Sequence, residues 1–487
     1  MRGSIMSTRH KVNVMAPLVV GDPHNIDSES SRKDWAKFRD HLKEMARIGV
    51  EAVSTDVWWG LIEPVQGQFE WAYYDKLVNT IVEAGLKWVP ILSFHRCGGN
   101  IGDTVNVPVP VWAWEYVRKA SGAASIRDVQ FVSEQGNASD EFISTWAIEH
   151  AMPLFEAVMR EFQAHFADKA EHIAEVNVSM GPAGELRYPS YNNHDDGTDY
   201  PTRGALQCYS RPAIKSFRQW ALDKYGTESG IDEAWGTNVA GGQQVRPPSN
   251  PKEFFGRFDH HDTQYGRDFF DWYSDSLFKA GRQMMTKALE IFAAEDAAFS
   301  GIDIGAKVPG IHWRTGERHG EHVHLGDRLA ELAAGLIRTS GKDWVGNSKG
   351  RGYRPLLKLM AEFQNNPRSR VVLHFTCLEM PDGEGGSKVK SVAKSLVTWV
   401  GQEAIRQGVP IKGENAVWWT LSDPASWERM RSHLSVEGTS GSYEGLTILR
   451  MGNVATNPTA NAEMIRTIEY AGGKQENSSD DGDGKAA

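Results

Sequence analysis

The sequence predicts an α/β protein, a (β/α)8 TIM barrel with long loops at the C-terminal face of its strands. Two observations predict it. Eight short apolar stretches alternate with segments of helical periodicity, and seven of the eight end in ionisable or hydrogen-bonding residues. Alternation of strand and helix implies parallel pairing, and eight such units close a barrel. An open doubly wound sheet is the runner-up, but no GxGxxG follows a predicted strand.

The first strand is predicted over Val12–Val20. Trp35, Phe38, Leu42 and Met45 then recur at 3- and 4-residue spacing, the mark of one helix face. Strands follow at Val50–Trp59 and Trp88–Phe94, separated by a helix over Tyr74–Ala84 that stops near Gly85. A long helix is expected over Glu141–Ala167 and a fourth strand over His172–Val178. Ala213–Tyr225 and Phe269–Phe292 read as helices, and Ala298–Val308 as the fifth strand. Helices over Leu329–Arg338 and Leu356–Glu362 precede a sixth strand at Val371–Phe375. A helix over Ser391–Arg406 leads to a seventh strand at Ile411–Val417, and Leu446–Leu449 is the eighth. In the last helix Asn457 is the cap, Pro458 opens the first turn, and Met464, Ile465 and Ile468 form the apolar face.

Residues 11–473 are expected to form a single catalytic domain, with 1–10 a leader and 474–487 a disordered acidic tail. Met1–Ile5 reads as an expression leader with Met6 as the natural start. No apolar signal-peptide core precedes the first strand, so a cytoplasmic location is expected, with a secreted protein whose signal was removed as the alternative. The 487 residues are 40% hydrophobic and 24% charged, an ordinary globular composition. A net charge of -10 disfavours nucleic acid, and no apolar run reaches the ~18 residues of a membrane span. Cys97, Cys208 and Cys377 are too few and too scattered for a disulfide framework or a zinc site. The 17 tryptophans fit either a large aromatic core or a sugar site.

Chemistry in such a barrel sits at the C-terminal ends of strands. The second strand delivers Asp56-Val57-Trp58-Trp59-Gly60, and the third His95 followed by Arg96-Cys97-Gly98-Gly99-Asn100-Ile101-Gly102-Asp103. After the fourth comes Gly181-Pro182-Ala183-Gly184-Glu185-Leu186-Arg187-Tyr188-Pro189-Ser190-Tyr191. The fifth ends in Lys307, with His312 and Trp313 beyond; the sixth in Thr376-Cys377-Leu378-Glu379-Met380; the seventh in Glu414-Asn415; the eighth in Arg450. Glu185 and Glu414, assigned to strands four and seven, would face each other across the barrel mouth. Two carboxyls flanking a scissile bond are what glycoside hydrolysis requires.

The stretches His95–Asp103, Gly181–Tyr191, Phe375–Met380 and Glu414–Ala416 resemble the motifs of the beta-amylase family, in an order that covers the chain from about Val12 to Arg450. The resemblance implies a (β/α)8 barrel hydrolysing α-1,4-glucan from the non-reducing end and releasing β-maltose by inversion. It assigns Glu185 as general acid and Glu414 as general base. It assigns Asp56, His95 and Asp103 to the terminal glucose, and Lys307, His312, Thr376, Asn415, Ala416 and Arg450 to further substrate contacts. It makes Gly98–Val105 a mobile lid and Phe375–Met380 an inner loop that shifts on binding. The general acid needs a raised pKa and the base a carboxylate kept ionised, to which Lys307 contributes.

Two positions depart from the family pattern. His374 stands where plant relatives commonly carry Asn, which changes a sugar contact. Val417-Trp418-Trp419 replaces a Leu-Pro common among relatives, which changes subsites beyond the cleavage point. Glu63–Gln68 lacks the acidic residue of the calcium loop found in some bacterial members, and the residues after Met451 are too few for a starch-binding module. No metal or cofactor is therefore expected, and the partner is an α-glucan acted on by a monomer. Taken alone, most of these residues have plainer readings. Arg450 could be a rim ion pair, His95 a structural histidine, and Trp58, Trp59 and Trp313 packing. His312, His319, His322 and His324, like His260 and His261, read as a polar loop rather than a metal site. A barrel hydrolase of other linkage specificity and a catalytically silent glucan-binding regulatory protein stay open as alternatives.

Overall fold

Each apolar stretch supplies one strand, and the strands pair in chain order. In the computed structural model they are β1 (Lys11–Met15), β2 (Ala52–Trp58), β3 (Lys87–Ser93) and β4 (Glu175–Val178). The series continues with β5 (Asp303–Val308), β6 (Val371–Phe375), β7 (Ile411–Glu414) and β8 (Gly445–Ile448). They close a barrel of eight parallel strands in which β8 returns to β1. The structure describes residues 11–98, 103–191, 194–196, 204–313, 317–319, 322–324, 330–340, 352–384 and 391–472. The predicted leader and acidic tail lie outside these residues, as does the centre of the predicted lid, 99–102.

Register places chemistry in layers. His374 of β6 is level with Lys307 on β5 and Lys412 on β7, and Glu414 is level with Thr447 on β8. Side chains alternate across a strand, so Glu175 and Asn177 of β4 share one face while Val176 and Val178 share the other. The face carrying Glu175 turns into the barrel, where its carboxylate meets His374 and Lys412. The opposite faces join the hydrophobic layer under the helices, with Val176, Val178, Ile304, Ala306 and Leu373 all buried.

Most of the predicted helices appear with shifted ends. Glu29–Ile48 buries the predicted Trp35, Phe38, Leu42 and Met45, begins where Ser28 accepts from the Ser31 N–H, and ends at left-handed Gly49. Asn457 caps Pro458–Ala471 by accepting from the N–H groups of Thr459 and Ala460. The helix expected from Glu141 begins only at Ile148. The intervening Phe142 and Ile143 are buried, and Ser144 donates its N–H to Val129, so this stretch packs as an ordered loop instead. The fourth strand starts at Glu175 because 167–172 forms a 3-10 turn. Over Leu329–Arg338 only Ala330–Ala333 is α-helical among the described residues. Helices not predicted include Val111–Ala120, Glu228–Trp235 and Pro424–His433, although Asp423 followed by Pro424 is the same start signal as Asn457-Pro458. Among the described residues no helix is long and apolar enough to cross a membrane. The three cysteines are buried and unpaired with one another.

Gly305 of β5 faces the charged interior. A Cβ there would lie 2.4 Å from Asn177 Oδ1 and 2.5 Å from Glu175 Oε1. Gly305→Ala is therefore expected to cost ~1–3 kcal/mol by overpacking, read as a lower melting temperature; an unchanged melting temperature would mean this layer has slack.

Candidate active site

Glu185 does not sit at the end of β4, as the sequence suggested. β4 ends at Val178, and a 3-10 turn over Pro182–Gly184 then carries the chain sideways until Glu185 lies bridged beside Lys307 of β5. Leu186 N–H donates to the Lys307 carbonyl at 2.9 Å, which fixes that placement. Gly181 makes the turn possible, since a Cβ there would lie 2.4 Å from the Glu185 carbonyl oxygen.

Burial is the largest influence on the Glu185 carboxyl, and it pushes the pKa up. Arg187 opposes it, donating from Nε to Glu185 Oε2 at 2.9 Å, while the negative charge of Glu414 adds to the upward push. The net shift is upward. Arg187 is itself buried and lies over the Tyr191 ring at 4.1 Å from its centroid. Its role as the Glu185 partner has no mark in the sequence beyond its place in the Gly181–Tyr191 motif.

Glu414 ends β7 in a different setting. Burial again pushes upward, but the Lys307 ammonium and the His374 imidazole outweigh it and hold the carboxyl at about 2. Lys307 Nζ binds Glu414 Oε1 directly, and His374 Nδ1 stands 3.2 Å from the same oxygen. The other His374 nitrogen, Nε2, is 2.5 Å from Glu175 Oε1, and Glu175 also binds Lys412 Nζ. The row Lys307, Glu414, His374, Glu175, Lys412 thus alternates in sign through the barrel. Burial lowers the His374 pKa, but Glu175 and Glu414 outweigh it and raise the value overall. Burial would raise that of Glu175, yet Lys412 and His374 pull it well below the ordinary carboxylate range.

The other predicted residues fall into two groups. Asp56, Asp103 and Arg450 form one. Burial raises the Asp56 pKa despite a 2.8 Å hydrogen bond from Ser93 Oγ and the nearby charges of Arg450 and Lys307. Arg450 donates to the Ala16 carbonyl at 2.9 Å and feels the negative charges of Asp56 and Asp103. Asp103 accepts from the Gly98 N–H at 2.8 Å, closing the base of the predicted lid. Beside them His95 shares a 2.9 Å hydrogen bond with Ser179 Oγ and packs edge-on to Trp58; burial, then Arg187, lowers its pKa to about 3, so it is neutral.

The second group is tied to backbone or loops. Thr376 Oγ1 accepts from the Gly310 N–H at 2.7 Å, and His312 Nδ1 pairs with Ser391 Oγ at 2.7 Å. Burial lowers the His312 pKa to about 4. The Asn415 amide donates to the Leu449 and Val417 carbonyls and accepts from the Leu449 N–H, stitching β7 to β8. Ala416 is exposed, and its N–H is held by Glu379 at 2.9 Å. Glu379, on the loop after β6, accepts from the Ala416 and Val417 N–H groups, so it positions the segment after Glu414. Its burial raises its pKa to about 7.

Trp58 and Trp59 are core residues, 2% and 1% exposed, and Trp313 is half-buried. Glu63, the acidic residue of the loop compared with calcium sites, accepts from Trp59 Nε1 and the Gly67 N–H, each at 2.8 Å. Among the described residues no cluster of His, Cys, Asp or Glu could hold a metal.

The family model described as Glycosyl hydrolase family 14 matches residues 14–474. The chain is 34% identical over 446 residues to the thermophilic beta-amylase of Thermoanaerobacterium thermosulfurigenes, covering 91% of this chain and 71% of that protein. It is 33% identical over 426 residues to the beta-amylase of Cytobacillus firmus, covering 87% and 81%. Among solved structures, the catalytic domain of beta-amylase from Paenibacillus polymyxa matches with a TM-score of 0.76 at 31% identity, over 95% of this chain and 98% of that one.

The charge row dictates a pH dependence of stability. Glu175 and Glu414 are depressed, so their contribution is present above the unfolded carboxylate pKa and is lost as pH falls through the folded values. His374 is raised, so its own contribution is present below the unfolded histidine pKa and fades as pH rises through the folded value. His374→Asn should therefore melt below wild type, with acid unfolding starting at higher pH and the gap narrowing as pH rises past the folded His374 pKa. Melting curves across pH 3–9 read this, and a gap that stays constant with pH would contradict it.

Proposed function

The chain belongs to glycosyl hydrolase family 14, the family of the beta-amylases, and on that premise we propose that it releases β-maltose from the non-reducing ends of α-1,4-glucan with inversion. It is a glycoside hydrolase. The observation that carries the finer reading is the divergence of two neighbouring carboxyls, Glu185 raised and Glu414 held at about 2. Pairs pushed apart in this way divide acid from base work.

In this reading Glu185 stays protonated and gives its proton to the glycosidic oxygen as the bond to the anomeric carbon breaks. Glu414 stays ionised and takes a proton from water, whose oxygen attacks the anomeric carbon from the opposite face. Lys307 and His374 keep Glu414 from protonating. The Arg187 hydrogen bond occupies one Glu185 oxygen and leaves the other for the proton. Asp56, Asp103 and Arg450, with neutral His95, offer hydrogen-bonding groups of both kinds to the terminal glucose, and Ala416 would meet the chain on the far side of the scissile bond. Residues 11–473 act as one catalytic domain, a monomer that needs no cofactor.

Glu185→Gln and Glu414→Gln are each expected to lower kcat on soluble starch by at least ~10²–10⁴, with far-ultraviolet circular dichroism unchanged. A folded variant with near-normal turnover would remove that residue from the mechanism. Stereochemistry provides the second test. Proton NMR in the first minutes of maltoheptaose hydrolysis, before mutarotation, should show the β-anomer of maltose. Carboxyls set for retention stand only ~5–5.5 Å apart, with one as nucleophile, and an initial α-anomer signal would require that arrangement instead.

A further inference from the structure

Among the described tryptophans only two are exposed, Trp418 at 50% and Trp419 at 58%. A single exposed apolar residue is ordinary, but two adjoining indoles form a patch of a kind that marks binding surfaces. Their rings meet edge to face, with centroids 5.8 Å apart and planes at 82°. Two indoles at that angle cannot lie flat against one planar surface; they form a corner.

The corner is held rigidly. Glu379 fixes the Ala416 and Val417 N–H groups just before it, and Thr420 Oγ1 donates to the Val417 carbonyl at 2.9 Å. Ser422 Oγ donates to the Trp419 carbonyl at 3.1 Å. Leu421 is buried, and its carbonyl accepts from Trp427 Nε1 at 2.9 Å. The backbone of the 3-10 turn Trp418–Ser422 is thus pinned from the core side while both indoles face solvent. A preformed aromatic surface loses little freedom when a ligand docks.

Position identifies the ligand. Glu414 is the last residue of β7, so the Trp418 Cα lies within ~15 Å of it along the chain, at the rim of the barrel mouth. The outer neighbour Ser422 is exposed, and its Oγ, which donates to the Trp419 carbonyl, can still accept from a sugar hydroxyl. The chain carries a net charge of -10, which repels an anionic partner and is indifferent to a neutral polysaccharide. A pyranose ring offers an apolar face to an indole, and a curved α-1,4-linked chain can touch two perpendicular faces in succession.

We infer that Trp418 and Trp419 form a carbohydrate-binding platform at the rim, which holds the reducing-side stretch of a long α-glucan while its end is cleaved. The inference rests on the α-glucan reading of the active site, and it adds that long chains are preferred over short ones through this corner.

The test compares wild type, W418A/W419A and W418F/W419F. Three quantities are measured: kcat/KM on maltotetraose, kcat/KM on amylopectin, and retardation in a native gel containing amylopectin. Melting curves confirm folding, and the phenylalanine variant keeps an aromatic surface should the alanine variant prove unstable. In W418A/W419A the ratio of the amylopectin to the maltotetraose value should fall about tenfold, equivalent to ~1.4 kcal/mol, with retardation reduced. W418F/W419F should recover most of both. An unchanged ratio and unchanged retardation, with wild type cleaving both glucans, overturn the platform and leave the glycosidase reading standing. A lower sedimentation mass of the alanine variant with an unchanged ratio assigns the corner to self-association and also overturns it. A wild type that cleaves neither glucan overturns the substrate reading, and the platform falls with it.

Discussion

The row of charges through the barrel is the constraint on which the site depends. Lys307, Glu414, His374, Glu175 and Lys412 are each at most 10% exposed at the side chain. Moving one such ion out of water costs several kcal/mol, so none could stand there singly. Alternation of sign satisfies each carboxylate from two sides. Parallel register creates it, because His374 is level with both Lys307 and Lys412, and the inward faces of β4 and β7 supply the two glutamates. A shift of one residue in β6 would turn Leu373 or Phe375 inward and leave two carboxylates facing each other without a cation between them.

That row also separates the two glutamates chemically. Glu414 belongs to it and is held ionised. Glu185 is brought alongside by a turn rather than by its strand, and Arg187 is the partner that binds its carboxylate. At Glu185 burial and the Glu414 charge outweigh Arg187 and Lys307 and the pKa rises; at Glu414 Lys307 and His374 outweigh burial and it falls. The difference comes from placing one carboxyl in the row and the other beside it, over the same Lys307.

The eight strands, most helices and the converging strand ends were legible in the sequence because each leaves a local mark: an apolar run, a 3.6-residue period, a cap or a polar residue where a turn residue is usual. Helix boundaries were less legible, since apolar residues such as Phe142 and Ile143 satisfy a helical period while packing in a loop. Of the charge row only the Lys307–Glu414 pair was legible, and His374 stood out only as a changed sugar contact. Glu175, His374 and Lys412 lie far apart in sequence, and their meeting depends on register and barrel closure. A partial signal existed, because Glu175 and Asn177, like Lys412 and Glu414, are two apart and must share a strand face. A strand with two polar residues on the face turned into a barrel announces a polar interior. The displaced Glu185 was similarly hidden, because a motif names residues without saying how a turn carries them.

Several residues assigned to substrate spend their side chains on the protein itself, and this divides the work of the site. Asn415 and Thr376 are bound to the backbone of neighbouring strand ends, and Glu379 clamps the two N–H groups just after Asn415. Such residues cannot also direct those same groups at a sugar without first releasing them. They make the mouth stiff where Glu414 emerges, so its carboxylate keeps one position relative to Lys307 and His374. Stiffness matters to the proposed mechanism because a base that activates water must hold its geometry to a fraction of an ångström, and a ~1 Å displacement costs ~10²-fold in rate. Asp56 accepts from Ser93, Arg450 donates to the Ala16 carbonyl, and each feels the other's charge and that of Asp103. In the proposed mechanism that stiffness would let a sugar end settle without disturbing the two carboxyls.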